Sequence, residues 1–131
     1  MKLCMIGTGY VGLVSGACFS DLGNDVVCVD RDINKIENLK KGLIPIYEPG
    51  LEELVLKNSK NNRLKFSTNL KKSIANSDII FICVGTPTRR NGNAADLSQI
   101  FSVAREIRSS ISKFKIIITK STVPVTTGDE I

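Results

Sequence analysis

Apolar residues along the chain alternate between two spacings. Residues 2–6, KLCMI, are a short apolar run, and residues 25–30, DVVCVD, are a second that ends in an acid. Runs at 64–68 (LKFST), 78–85 (DIIFICVG) and 115–119 (KIIIT) bring the strand-length segments to five. The 78–85 run is apolar almost throughout, which predicts a central strand of a parallel sheet, buried on both faces. Between these runs the spacing lengthens to that of a helix. Val14, Ala17, Cys18 and Leu22 recur at helical intervals, and Gly23 closes that segment. Ile33, Ile36 and Leu39 share one face of residues 31–42, which also end in glycine. Pro45 and Pro49 make 43–49 irregular, and Leu51, Leu54 and Val55 then mark a short helix. Residues 69–77 (NLKKSIANS) predict another short helix, and 86–95 (TPTRRNGNAA) a loop. Leu97, Ile100, Phe101, Ala104, Ile107 and Ile111 form the clearest amphipathic stripe. Strand and helix alternating in this way predict an α/β domain with a doubly wound parallel sheet. Right-handed crossovers and the usual order of such sheets predict the strand order 3-2-1-4-5.

The junction of the first strand and first helix carries IGTGYVGL, residues 6–13. Gly7, Gly9 and Gly12 have the spacing G-x-G-x-x-G. Three such glycines are a generic signal, but a strand before them and a helix after them make a Rossmann-like dinucleotide fingerprint. In that setting Gly7 permits the tight turn, Gly9 lets a pyrophosphate approach the backbone, and Gly12 lets the helix pack close to the strand. The phosphates would rest on free N–H groups at the positive end of the helix. Asp30 ends the second strand, 18 residues after Gly12. Its carboxylate is placed to accept hydrogen bonds from the adenosine ribose and to repel a 2′-phosphate, which favours NAD over NADP. Arg31 works against that preference, because an arginine at this place accommodates the phosphate. VGTPT (84–88) and KSTVP (120–124) leave strands 4 and 5 on the same predicted edge, with small residues and hydroxyls where a cofactor would pass. Three readings stay open on these grounds: a dinucleotide site, a related flavin or S-adenosylmethionine site, and a glycine turn that only packs a helix.

Length and composition narrow the function classes. A chain of 131 residues suits one domain with its own core. At 42% hydrophobic and 24% charged residues it is ordinary globular material rather than a disordered chain. The net charge of +5 is scattered over helices and loops, with no stripe of interleaved aromatics. That reads as a solvated basic surface that attracts an anionic nucleotide, not as a nucleic-acid footprint. Cys4, Cys18, Cys28 and Cys83 form no C-x-x-C pair, and there is no histidine, so no metal site is expected. All four read as small buried core residues of a reduced, cytoplasmic protein. The first 20 residues loosely mimic a signal peptide, but the glycine turn in their middle marks a structural start. No run is long and apolar enough to span a membrane.

GTGYVGL, IYEPGLEEL, VGTPT, ADLS and KSTVPV occur in this order with this spacing. Together they resemble the amino-terminal domain of the UDP-glucose/GDP-mannose dehydrogenase family of nucleotide-sugar dehydrogenases. The resemblance runs from residue 1 to residue 131, and YEPGLEEL with KSTVPV is its most specific part. It implies an NAD-dependent oxidation of UDP-glucose to UDP-glucuronate in two hydride transfers. In that scheme a cysteine captures the aldehyde as a thiohemiacetal, and water hydrolyses the later thioester. The resemblance puts Gly7, Thr8, Gly9, Tyr10, Val11 and Gly12 around the pyrophosphate, Asp30 on the ribose and Lys35 on the adenosine side. Val84, Gly85, Thr86 and Pro87, chiefly Thr86, would line the cofactor path with Ser121 and Thr122. Thr122 also matches a threonine implied in ordering the catalytic water. Tyr47 to Gly50 would shape the pocket, although such residues on a surface loop are commonly just solvated or packed.

The departures from the family pattern are informative as well. The family's catalytic cysteine lies in a glycine-rich segment that has no counterpart here, and its substrate-handling lysine, asparagine and glutamate motifs are missing too. None of the four cysteines stands in a matching context. Residues 1–131 are therefore expected to be the NAD-binding part of a longer enzyme, inactive alone, lacking the central helix and the UDP-sugar-binding domain. The full-length enzyme is expected to be a homodimer or larger. Smaller departures are Thr126, where the family often has glycine or a small residue, and RRNGN (89–93), where it often has an acidic turn. The alternatives are a sister enzyme for UDP-N-acetylmannosamine or GDP-mannose, a non-catalytic nucleotide-binding module, and a nucleic-acid binder suggested only by net charge.

Overall fold

The computed structural model describes residues 1–88 and 95–131. Five strands, β1 (Lys2–Ile6), β2 (Asp25–Val29), β3 (Leu64–Ser67), β4 (Ile79–Ile82) and β5 (Ile116–Thr119), form one sheet. All pairings are parallel and the order is β3-β2-β1-β4-β5, as the alternation of periods predicts. The connections carry α1 (Tyr10–Asp21), α2 (Ile33–Lys40), α3 (Leu51–Lys60), α4 (Leu70–Ala75) and α5 (Ser98–Ser110), and α6 (Thr127–Glu130) follows β5.

Side chains alternate across the pleat, and both faces of the central strands β1 and β4 are covered, which is why they read as unbroken apolar runs, whereas the edge strand β5 is partly exposed along its length. Leu3, Met5, Val26, Cys28, Phe66 and Phe81 point to one face, where Leu13 and Ala17 of α1 and Val55 of α3 meet them. Cys4, Ile6, Val29, Ile80 and Ile82 point to the other, against Ile74 of α4 and Val103 and Ile107 of α5. Phe19 and Phe81 add a tilted aromatic pair with centroids 5.2 Å apart. The register pairs Ile6 with Val29 and with Ile82, Val29 with Ser67, and Ile82 with Thr119. The carboxyl ends of all five strands therefore finish level, and Gly7, Asp30, Cys83 and Lys120 emerge along one edge.

One sequence expectation needs correction. Cys18 is exposed, while Cys4, Cys28 and Cys83 are buried as expected. The buried face of α1 is Gly12, Leu13, Gly16, Ala17 and Ser20, and Leu22 is 78% exposed. Counting large apolar residues mis-phased this helix, because apart from Leu13 it is seated by small ones. A Cβ on Gly16 would stand 2.6 Å from the Cys28 sulfur, so a larger residue there would push α1 off the sheet. On α5 the stripe also shifts, toward Ile100, Val103 and Ile107. No helix among the described residues is long and apolar enough to cross a membrane.

Candidate functional site

The chain leaves β1 at Ile6 and turns at once. Gly7 sits at φ +106°, and its N–H donates to the Val29 carbonyl at 2.8 Å. A Cβ there would lie 2.6 Å from the Cys83 carbonyl oxygen. The turn is thus wedged between the ends of β2 and β4. A Cβ on Gly12 would overlap the Gly7 carbonyl oxygen, so the first turn of α1 rests directly on the preceding backbone. Gly9 differs from both. Its φ is −78°, and a Cβ there would meet no atom of the chain within 4 Å. Nothing in the protein itself requires glycine at this position. The added methyl would instead fill space at the mouth of α1, where a bound pyrophosphate would lie against the backbone. Gly9 caps α1 without a side-chain hydrogen bond, leaving the first-turn N–H groups as donors at the positive helix end.

Asp30 is held from several directions. Its Oδ2 accepts from the Thr8 N–H at 3.0 Å, the Thr8 hydroxyl at 2.6 Å and the Lys35 ammonium at 3.2 Å. Its Oδ1 accepts from the Asp32 N–H at 3.2 Å. Burial pushes the Asp30 carboxyl up, but the Thr8 and Asp32 hydrogen bonds and the Lys35 charge outweigh it and hold it below the usual carboxylate range. The residue is an oriented carboxylate at neutral pH. Thr8 is fully buried, and its hydroxyl braces Asp30 from behind the glycine turn. No sequence signal distinguishes that role from the loop position implied for it by resemblance.

The opposite wall is assembled from hydroxyls. Ser121 Oγ donates to the Val84 carbonyl at 2.7 Å, and Thr86 Oγ1 donates to the Thr122 carbonyl at 3.0 Å. These bonds lash the loop after β4 to the loop after β5. The two walls enclose a crevice of about 690 Å³, ordinary for a small-molecule or cofactor site. Gly7, Thr8, Gly9, Tyr10 and Val11 form one side of its lining, and Val84, Gly85, Thr86, Ser121 and Thr122 the other. Asp30 and Lys35 close the end beside β2. Gly12 stands behind this lining, as support for the turn. Pro87 stands beside this lining rather than in it: it is exposed, and its carbonyl accepts from the Asp96 N–H at 2.8 Å. The proline has no N–H to offer a ligand, and its backbone is committed to shaping the loop.

Sequence reasoning missed the contribution of α5. Gln99, Val103 and Glu106 line the crevice, and Arg31 reaches across to bond Glu106 and Ser102. Residues more than 70 positions apart in sequence meet here, so local spacing carries no hint of it. Cys83 also touches the crevice, but burial pushes its thiol up to about 11, with Lys120 lowering it only in part. It is a protonated thiol at neutral pH and a poor nucleophile. Tyr10 donates its hydroxyl to the Tyr47 carbonyl at 3.3 Å, linking the glycine turn to the 43–49 segment. Residues 42–50 with Glu52 and Glu53 line a separate hollow of about 610 Å³, and Tyr47 is 84% exposed. Thr126 adopts φ +81°, a left-handed conformation costly for a β-branched residue, which accounts for the small residue common there in the resembled family. The segment 89–93 lies outside the described residues.

Comparison with known proteins adds to this geometry. The sequence profile of the UDP-glucose/GDP-mannose dehydrogenase family, NAD binding domain, matches residues 1–131. The chain is 58% identical to UDP-glucose 6-dehydrogenase of Rhizobium meliloti (strain 1021) over 131 residues, which is 100% of this chain and 30% of that protein. It is 53% identical to UDP-glucose 6-dehydrogenase TuaD of Bacillus subtilis (strain 168), covering 97% of this chain and 27% of that one. A crystal structure of a ternary complex of GDP-mannose dehydrogenase from Pseudomonas aeruginosa superposes with a TM-score of 0.94 at 39% identity. It covers 98% of this chain and 30% of that one. The chain thus spans about 30% of the length of each of these three proteins.

Proposed function

The chain belongs to the UDP-glucose/GDP-mannose dehydrogenase family, whose NAD-binding domain it forms, and we propose that it holds NAD along the carboxyl edge of the sheet as part of an oxidoreductase that converts UDP-glucose to UDP-glucuronate. The observation that carries this reading is Gly9, a glycine with no steric reason inside the chain, set at an uncapped helix mouth between two glycines that do have one. The pyrophosphate rests on the first-turn N–H groups of α1, with Gly7, Thr8, Gly9, Tyr10, Val11 and Gly12 forming and backing the cradle. Asp30 takes the adenosine ribose. A carboxylate oxygen has two lone pairs, so Oδ1, which accepts the Asp32 amide, has room for a ribose hydroxyl. Lys35 fixes Asp30 and contributes positive charge on the adenosine side. Val84, Gly85, Thr86, Ser121 and Thr122 guide the cofactor toward the reacting end, and Pro87 shapes that loop. Bound there, NAD supplies the hydride acceptor for both oxidation steps.

Residues 1–131 are one domain of a longer polypeptide, which supplies the nucleophilic cysteine and the nucleotide-sugar site, so this part alone does not turn over substrate. Thr122 orders the hydrolytic water in the complete enzyme. UDP-glucose is the preferred sugar because the relatives of 58% and 53% identity bear that name, while the relative at 39% acts on GDP-mannose. The complete enzyme is a homodimer or larger, and the buried, unpaired thiols suit a cytoplasmic location.

Titration of the chain with NAD and NADP by calorimetry tests the cofactor reading. NAD binds more tightly than NADP. Asp30→Ala weakens NAD about tenfold and narrows the gap. Gly9→Ala weakens NAD by at least as much while lowering stability by only about 1 kcal/mol, the cost of alanine at a helix cap. Unchanged titrations for both cofactors in both variants would overturn the assignment.

A further inference from the structure

We infer that Glu106, on α5, is a positioning residue that sets the choice between NAD and NADP by holding Arg31 away from the ribose 2′ position. This rests on the reading of the crevice as an NAD site. The charged residues that line the crevice among the described residues are Asp30, Arg31, Lys35 and Glu106. They are matched in pairs: Lys35 bonds Asp30 at 3.2 Å, and Arg31 bonds Glu106. The Arg31 Nη2 that meets Glu106 also donates to Ser102 Oγ at 3.1 Å, so the guanidinium is aimed at α5.

Arg31 directly follows the ribose-binding carboxylate, the place from which an arginine accommodates a 2′-phosphate. Free, it would provide the planar, bidentate fork that suits a phosphate. Bonded to Glu106 it provides no net charge, and a 2′-phosphate entering beside Asp30 would also meet the Glu106 carboxylate. Like charges brought together at a binding site discriminate strongly against the wrong partner. The side chains of Arg31 and Glu106 are 67% and 43% exposed. Exposed pairs contribute little to folding, so the consequence of this one lies in what it does to the crevice. Asp30 alone would weaken NADP by repulsion. Glu106 removes the cation that would otherwise offset that repulsion.

The test is a set of NAD and NADP titrations on the full chain at one ionic strength, with Glu106→Gln, Glu106→Asp, and Glu106→Gln combined with Arg31→Ala. In Glu106→Gln, NADP affinity rises about tenfold while NAD changes by less than about threefold. Adding Arg31→Ala returns NADP to the parent value, and Glu106→Asp stays near the parent ratio. A purely structural role would shift both cofactors together. An unchanged ratio in Glu106→Gln, or a gain in NADP that survives Arg31→Ala, overturns the inference and leaves the NAD site standing. A parent chain that binds neither dinucleotide overturns the reading of the crevice and this inference with it.

Discussion

The two walls of the crevice are built by different means. At the glycine turn, backbone lies on backbone: Gly7 against the Cys83 carbonyl, and Gly12 against the Gly7 carbonyl. Across the crevice, loops are tied by hydroxyls: Ser121 on the Val84 carbonyl and Thr86 on the Thr122 carbonyl. Steric exclusion is close to all-or-none, because a methyl group either fits or moves a helix. A hydrogen bond is graded, because water and neighbouring groups replace much of its energy. The comparison teaches that the glycine-turn end is geometrically rigid, while the end toward β5 tolerates adjustment.

Gly12→Ala should break the first wall. Its methyl displaces α1 from the turn that it caps, and we expect a loss of about 3 kcal/mol or more in urea unfolding. A loss below about 1 kcal/mol would show that the turn yields and that the two walls are alike. Asp30→Asn comes next, because Asp30 locks the turn from behind through Thr8. Loss of charge-assisted hydrogen bonds at this partly buried carboxylate costs about 2 kcal/mol at neutral pH. The folded-state value of Asp30 lies below its unfolded value near 3.8. Its stabilisation is therefore complete above pH 3.8 and is lost as the pH falls through the folded value. Parent and Asp30→Asn stabilities should converge below pH 3.8, and a gap that stays constant with pH would refute the role of the charge. Ser121→Ala has the smallest effect. Removing one neutral hydrogen bond costs about 1 kcal/mol, and thermal unfolding should show a small shift with the fold intact. If Ser121→Ala matched Gly12→Ala, the second wall would be as rigid as the first.

The glycine turn and Asp30 were legible in the sequence because each rests on features a few residues long, and the sheet order because strand and helix alternate along the chain. The central strands β1 and β4 could be read because both their faces are buried, so their apolar runs are unbroken. The burial of α1 was not legible in phase. Beside Leu13, its buried residues are Gly12, Gly16, Ala17 and Ser20, small ones that a count of large apolar side chains ignores. Cys18 and Leu22 fell on the wrong side for that reason. Gly7, Gly9 and Gly12 lie between β1 and α1, at the junction that the sequence pattern predicts. The bracing hydroxyl of Thr8 and the whole contribution of α5 went unseen, since nothing near Arg31 in sequence announces Glu106.

What the sequence determined by itself was a set of local facts: where the period changes from two to 3.6, where the backbone must turn, and which acid closes the second strand. Such facts follow from sterics and side-chain spacing within a few residues. Only the tertiary structure decided which face of α1 is buried, that Thr8 and Lys35 orient Asp30, and that Glu106 occupies Arg31. Those contacts depend on the register that brings all five strand ends level, and on helices seated at particular depths over the sheet. Register and depth are settled by the packing of the whole core, a property no short stretch of chain possesses.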